Sequence, residues 1–378
     1  MRVGIDAQML CRNLTGIGRY ASEVIKQLIQ IYPDIDFYVY APHSLCVDLG
    51  RAKNLTVKTA RLKFKGAGIL WSQISLPRWA SLDELDALWV PTHRMPRLLS
   101  CKIARVVTIH DLVWMHAGET MHPLNLLAER ILMPDAVRLA DRIVADSQST
   151  ADALAEAFPF TKSRTRVVYL GPTVFPEPEK SETLLKFGID RPYFLFVGTL
   201  EPRKNLPRLL RAYATLALSS KKENLLVIAG GKGWGNQDLV ALIEELDLKD
   251  CVRLTGYVDE QMLGTLYSHA MFLAMPSLYE GFGLPVLEAM SFGVPVLTSS
   301  CSSLPEVAGD AGLLVDPYNI DSIADGLTKL ITDVGLREQL AGRTKENVAK
   351  FGWEKTAREV MAAIEEAIAE RQNRRQVG

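Results

Sequence analysis

The chain's 378 residues suit two to three domains at about 150 residues each. Its 43 Lys and Arg nearly balance 44 Asp and Glu, for a formal charge of -1, so no global positive field exists to hold a nucleic-acid backbone. With 48% hydrophobic and 23% charged residues, 26 Gly and 19 Pro, collagen-like and low-complexity classes are excluded as well.

Five cysteines, at 11, 46, 101, 251 and 301, form no CxxC pair, which argues against a disulfide framework or a cysteine zinc site. Six scattered histidines, with no HExxH or comparable cluster, give no support to metal catalysis. Asp6 interrupts the first apolar run too early for a signal peptide. No apolar run approaches the roughly 18 residues of a membrane span. The expectation is a cytoplasmic, multi-domain protein with reduced thiols.

From the N-terminus, short apolar runs at 3–6, 37–40, 87–90, 104–109, 142–145 and 167–170 predict strands. Stretches between them, such as 20–31 and 124–139, carry apolar residues at helical spacing. That rhythm predicts a parallel sheet covered by helices on both faces. From 171 to 192 the texture changes to a Pro-rich, charged stretch, read as an exposed linker. Beyond it, strands are predicted at 193–197, 225–229, 252–254, 271–274 and 295–298, with helices from Pro207, Asp238 and Ile320. The fold class is α/β, with two doubly wound domains of similar size. In such sheets ligands bind outside the carboxyl ends of the strands, so chemistry is sought just after each strand.

Gly16-Ile-Gly18-Arg-Tyr-Ala21 has the spacing GxGxxA, but it begins about nine residues after the first strand. A dinucleotide fingerprint belongs in the tight turn directly after that strand. The better reading is a loop opening a helix, whose backbone N–H groups can meet a phosphate; an ordinary Gly-rich turn is the plain alternative. Asp34 and Asp36 precede a strand and so lie at the wrong end of the sheet for a metal site. Arg203-Lys204, after the strand at 193–197, matches what a diphosphate needs: a bidentate fork and a point charge. A solvated basic turn explains that pair equally well.

Further on, Glu280-Gly281-Phe282-Gly283-Leu284-Pro285 follows another strand, and Glu288 lies beyond it. The glycines let backbone amides approach a ligand, and Pro285 suits the first turn of a helix carrying Glu288. Ionised carboxylates only accept hydrogen bonds, which suits gripping sugar hydroxyls.

Glu280 and Glu288, with seven residues between them, together with Gly-Phe-Gly-Leu-Pro, resemble the EX7E motif of family 4 glycosyltransferases. The resemblance runs along essentially the whole chain. Thr15-Gly16-Ile-Gly18-Arg19-Tyr20 resembles the N-terminal phosphate loop, and Ile109-His110-Asp111-Leu112 the sugar-proximal histidine segment. Val144-Ala-Asp-Ser147-Gln-Ser-Thr resembles the turn closing the first domain, Leu254-Thr-Gly256-Tyr257-Val258 the base-binding strand, and Phe351-Gly-Trp353-Glu354 the start of the returning C-terminal helix.

That resemblance implies a GT-B fold, two Rossmann-like domains facing a central cleft. An acceptor-binding domain spans 1–172, joined by the returning helix at about 354–378; a donor-binding domain spans 173–353. It implies a retaining, metal-independent hexosyltransferase with no cofactor beyond its co-substrate, a nucleotide-diphosphate sugar. Gly16 and Gly18 contact the diphosphate through backbone, and Arg203 and Lys204 form its cationic clamp. Glu288 holds the ribose. Glu280 and the amides of Gly281, Phe282, Gly283 and Leu284 hold the donor sugar, with His110 beside its anomeric region or 6-hydroxyl. Val258 touches the base. Where many relatives carry an Arg directly after the strand glycine, this chain has Gly198-Thr199, so Arg203 supplies that charge from the next turn.

The opening residues and the Thr-Gly-Ile-Gly-Arg-Tyr loop are most similar to bacterial mannosyl- or rhamnosyltransferases of O-antigen and lipopolysaccharide biosynthesis. The preferred donor is GDP-mannose and the expected acceptor a lipid-linked saccharide. A UDP-sugar enzyme and a non-catalytic sugar-nucleotide-binding protein are the alternatives. Residues 51–80 carry seven basic residues, no acid, and Trp71 and Trp79 around an apolar core. They predict peripheral contact with the inner face of the plasma membrane; a solvated loop plus an ordinary core helix fits them as well.

Overall fold

A computed structural model describes residues 1–12, 16–60, 67–235 and 238–377. The apolar runs pair side by side, always in parallel, because each strand is followed by a crossover. In the first sheet β1 (Arg2–Asp6), β2 (Asp36–Ala41), β3 (Leu55–Thr59), β4 (Ala87–Val90), β5 (Ala104–Ile109), β6 (Arg142–Ala145) and β7 (Thr165–Val167) lie in the order β3-β2-β1-β4-β5-β6-β7. In the second, β8 (Tyr193–Val197), β9 (Leu225–Ala229), β10 (Val252–Gly256), β11 (Leu273–Met275), β12 (Val296–Ser299) and β13 (Gly312–Val315) lie in the order β10-β9-β8-β11-β12-β13. The order reverses between β1 and β4 and again between β8 and β11. Crevices form at such points, outside the carboxyl ends.

Every residue of β4, β8 and β9 is buried, as continuous apolar runs in a parallel sheet demand. β3 and β13 were not foreseen. Both are edge strands, paired only with β2 and β12 respectively, and both leave side chains exposed. Neither reads as a buried run. β7 also starts two residues earlier than expected, because register with β6 places Thr165 opposite Ile143.

Two compact units result. Residues 1–112, 124–171 and 352–378 form the first, and residues 113–123 and 172–351 the second. In the first, the helix Trp353–Val377 packs back on the sheet. Arg142 pairs with Glu366 (3.0 Å) and Glu370, Arg166 with Glu359 (2.5 Å) and Glu366. Gly171 makes room for the helix start: a Cβ there would lie 2.5 Å from the Trp353 backbone nitrogen.

In the second unit, Phe194 stacks on Phe272 with ring centroids 5.1 Å apart, at the centre of the core. Residues 113–123 belong to this unit through Val113 and Ala117, which cluster with Tyr279. His116 also stacks on Tyr279 at 5.4 Å, and the Trp234 indole N–H donates to the Thr120 carbonyl at 3.1 Å. The stretch after Gly171 is not the free linker the prolines suggested. Thr173 is buried and Phe175 packs on Tyr267 and Phe292, while Val174 between them is 84% exposed. Its extended backbone lets alternate side chains turn inward.

β8 and β9 approach closely at their ends, where a Cβ on Gly230 would lie 1.9 Å from the Gly198 carbonyl oxygen. Gly230→Ala is expected to destabilise the second unit by about 2 kcal/mol or more. Urea unfolding measures it; an unchanged midpoint contradicts the packing account.

Candidate active site

The second unit gathers most of the singled-out residues at the switch between β8 and β11. After β8, Gly198 leaves space for the Lys204 stem: a Cβ there would sit 3.2 Å from the Lys204 Cε. The short helical turn Pro202–Lys204 ends at Asn205, which is left-handed at φ 62°. Such a conformation is uncommon outside glycine, and Asn tolerates it best. The Asn205 amide is buried and donates to the carbonyls of Pro276 (2.9 Å) and Pro317 (2.7 Å). The Leu278 N–H donates to the Arg203 carbonyl at 2.8 Å. The loops after β8 and β11 are thus stitched together.

This stitching brings both cations onto one carboxylate. Arg203 Nη1 lies 2.6 Å from Glu280 Oε2, and Lys204 Nζ lies 2.6 Å from Glu280 Oε1. Arg203 Nε also reaches Glu201 at 3.2 Å. Burial alone would raise the Glu280 pKa; Arg203 and Lys204 outweigh it and hold the carboxyl at about 2. Lys204 is the more deeply buried cation, with its side chain 7% exposed against 24% for Arg203.

The loop beyond Glu280 is held from beneath. The buried Ser303 hydroxyl reaches the carbonyls of Glu280 (2.9 Å) and Phe282 (2.8 Å). Gly283, at φ 107°, caps the helix Leu284–Ser291, with Pro285 in its first turn. A side chain at 283 would be strained and would meet Leu304 at 2.8 Å. Residues 281–284 therefore stand at a helix N-terminus, where backbone dipoles favour an anion.

Glu288, on that helix, is equally buried but differently held. The Thr173 hydroxyl donates to its Oε1 at 2.5 Å, and the Tyr267 hydroxyl to its Oε2 at 2.8 Å. One glutamate faces cations, the other hydroxyls. Val258 follows β10 and precedes Asp259, which caps the helix Glu260–Ser268 by accepting from Met262 N–H at 2.8 Å. It lies at the carboxyl edge of the same sheet. Thr173, Tyr267, Ser303 and Asn205 were not singled out from the sequence. A lone hydroxyl or amide carries no pattern until the fold aims it.

The first unit holds the other three. Gly16 opens the helix Gly16–Ile31 and is exposed, while Gly18 is buried within its first turn; Thr15 lies outside the described residues. Tyr20, from the same helix, meets the His110 ring edge-on at 5.2 Å. His110 follows β5, with Nδ1 2.5 Å from Asp146 Oδ2 and Nε2 3.1 Å from the Pro91 carbonyl.

The basic stretch at 51–80 is only partly described, since Arg61, Lys63 and Lys65 lie outside the described residues. Trp71 is 1% exposed, packed edge-on to Trp79 at 6.0 Å, so it serves the core and not a surface. Lys58 is paired with Asp83 at 2.5 Å. The helix Ala67–Leu82 exposes Leu70 and Ile74 instead.

A family model described as Glycosyltransferase Family 4 matches residues 14–172, and one described as Glycosyl transferases group 1 matches residues 180–347. The chain is 31% identical over 369 residues to the O-antigen chain mannosyltransferase B of Escherichia coli, spanning 90% of this chain and 93% of that protein. Among solved structures it is similar to WaaG, a glycosyltransferase involved in lipopolysaccharide biosynthesis, with a TM-score of 0.73 at 18% identity over 96% and 98% of the two chains. Anabaena Alr3699/HepE in complex with UDP-glucose gives a TM-score of 0.72 at 18% identity over the same shares. At such identity the likeness speaks for the fold, two Rossmann-like domains of the GT-B class.

The lowered Glu280 pKa fixes a pH dependence. Its ion cluster stabilises the fold fully above the ordinary value of 4.5 and loses that contribution as pH falls toward about 2. The stability gap between the parent chain and Glu280→Gln is therefore expected to be constant near neutrality and to shrink below about pH 4.5. Denaturant unfolding across that range checks it; a gap independent of pH contradicts it.

Proposed function

The chain belongs to glycosyltransferase family 4, and we propose that it transfers mannose from GDP-mannose to a lipid-linked saccharide in surface-polysaccharide assembly. The Arg203–Lys204–Glu280 cluster carries this reading. Similarity to an O-antigen mannosyltransferase along nine-tenths of both chains supports the choice of sugar.

At rest both cations are occupied by Glu280. A diphosphate offers them stronger partners, bidentate for the guanidinium and point-like for the ammonium. Glu280 is then released to accept from sugar hydroxyls. Glu288, already gripped by two hydroxyls, takes the ribose, and Val258 meets the base through its backbone. As the bond from the anomeric carbon to the phosphate oxygen breaks, an oxocarbenium-like sugar develops. Arg203, Lys204 and the amides of residues 281–284 stabilise the charge growing on the diphosphate. The acceptor attacks from the same face, and its proton passes to the leaving phosphate oxygen. Configuration is retained. The two cations do the work a metal does elsewhere, so neither a metal nor a resident cofactor is required.

The acceptor and its membrane belong to the first unit in this reading. Among the described residues no helix is long and apolar enough to cross a membrane. Leu70 and Ile74 on one helix, and Leu127 and Ile131 on Pro123–Leu139, are exposed. The two helices border a cavity of about 180 Å³ lined by Ser72, Gln73, Arg94, Arg97, Ile131 and Asp135. Apolar rims beside cations suit a lipid-borne sugar at an anionic membrane surface, which supports reading the enzyme as a peripheral one at the inner face of the plasma membrane.

A panel of GDP- and UDP-sugars, scored by slow donor hydrolysis and protection against melting, is expected to single out GDP-mannose. Turnover of UDP-sugars alone would reassign the donor, and binding without turnover would leave a sugar-nucleotide-binding protein. Glu280→Gln should lower kcat by about a hundredfold while nucleotide affinity changes by less than about threefold; equal loss of both contradicts its assignment to the sugar. Flotation with anionic vesicles should show salt-sensitive binding, and its absence at low salt removes the membrane contact.

A further inference from the structure

The second unit carries a cavity of about 670 Å³ that the proposed reaction leaves unused. Arg203, Lys204, Glu280 and Glu288 are not among its walls. The chain turns at the left-handed Asn205. Before that turn the Lys204 ammonium meets Glu280; after it the helix Leu206–Thr215 brings Arg208 and Arg211 to the cavity. Leu200, Leu206, Leu239 and Ile320 supply apolar wall. The size and the mixed lining are those of a small-molecule pocket. Its charged residues are Arg208 and Arg211 against Glu119 and Glu201, so their formal charges cancel.

Tyr318 is the aromatic wall, 61% exposed and yet braced on every side of the backbone. Its N–H donates to Asp316 Oδ1 at 2.9 Å, and the Pro317 carbonyl before it accepts from the Asn205 amide at 2.7 Å. Asn319 after it caps the helix Ile320–Thr332. The Arg208 guanidinium lies over the ring, 5.7 Å from its centroid, and donates to Asn205 Oδ1 at 2.9 Å. The ring is thus a fixed platform that faces water. Glu119 is anchored through its neighbour, since the Thr120 carbonyl accepts from the Trp234 indole at 3.1 Å. Burial first, then Cys301 and Glu119, raise the pKa of the Tyr318 phenol, so the Glu119 carboxylate stands close to that ring. Glu201 is already engaged with Arg203 Nε at 3.2 Å. The side chains of Glu119 and Arg211 make no hydrogen bond or ion pair among the described residues.

This lining selects by chemistry. A phosphate would meet two carboxylates, and a cation two guanidinium groups. A sugar hydroxyl both donates and accepts, so it can donate to Glu119 and accept from Arg211 in charge-assisted bonds. The C–H face of a sugar ring can lie on the exposed aromatic ring.

We propose that this cavity is a second carbohydrate site, separate from the donor groups, that takes a neutral oligosaccharide through Tyr318, Glu119 and Arg211. The choice of a mannose saccharide rests on the proposed function; the chemistry of the site stands on the second unit alone. Its pre-set platform spares the ligand the cost of ordering the protein around it.

Calorimetric titration of the full chain with an α-linked mannotriose is expected to show saturable binding. Tyr318→Ala should weaken it about tenfold or more, and Tyr318→Phe by less than about threefold, because the ring carries the stacking. Glu119→Ala and Arg211→Ala should each weaken it about three- to tenfold, the loss of one charge-assisted hydrogen bond. All three residues are exposed, so folding should survive, and unchanged melting of each variant verifies it. No binding at millimolar trisaccharide, or binding that none of the variants weakens, overturns the proposal. So does pyrophosphate binding that Arg211→Ala weakens while the trisaccharide is untouched, because the cavity would then be an anion site. If no GDP- or UDP-sugar is turned over but the trisaccharide binds and loses affinity in Tyr318→Ala, the proposed function fails and the site stands. Turnover without trisaccharide binding does the reverse.

Discussion

A single carboxylate, Glu280, holds together the two cations that follow β8, Arg203 and Lys204. Burying three charges is costly unless each is paired in good geometry. Here Arg203 and Lys204 each approach a separate oxygen of Glu280 at 2.6 Å. Much of the surrounding structure serves that geometry. Asn205 ties the loop after β8 to two carbonyls, Gly198 makes room for the lysine stem, and Ser303 supports the carbonyls of the glycine-rich loop. Removing one cation leaves the other to answer a buried charge alone.

The two glutamates of the motif show how context divides the labour of identical side chains. Glu280 stands on a loop between cations and stays ionised. Glu288 stands on a helix and accepts from the hydroxyls of Thr173 and Tyr267. In the proposed reaction the first gives up its cations to the diphosphate. The second already behaves as an acceptor of hydroxyl groups, the task that a ribose would set it.

The first unit repeats the topology with different chemistry. Its sheet reverses between β1 and β4, as the second reverses between β8 and β11. Yet after β5 and β6 it pairs His110 with Asp146 in place of a carboxylate with two cations. Both arrangements balance buried charge. The second sets a cationic pair beside a helix N-terminus, where backbone dipoles favour an anion.

Much was legible in the amino-acid order because its signals are local. β4, β8 and β9 were read with their observed limits, since a strand buried on both faces leaves an unbroken apolar run. Arg203, Lys204, Glu280 and Glu288 were legible as residue types at telling positions, each just beyond a strand or on the helix that follows. β3 and β13 were not, because edge strands keep one side in water and lose that run. Pairing was beyond reach as well: Lys204 and Glu280 are 76 residues apart, and Asp146 and His110 are 36 apart. Trp71, which the sequence left open between a membrane-facing surface and a core helix, proved to be core. Thr173, in a stretch that reads as linker, proved to hold Glu288. Composition and periodicity determine which elements form and which side chains are available. Only the folded sheet, by bringing loops after separate strands to one edge, decides which charges meet and in what protonation state.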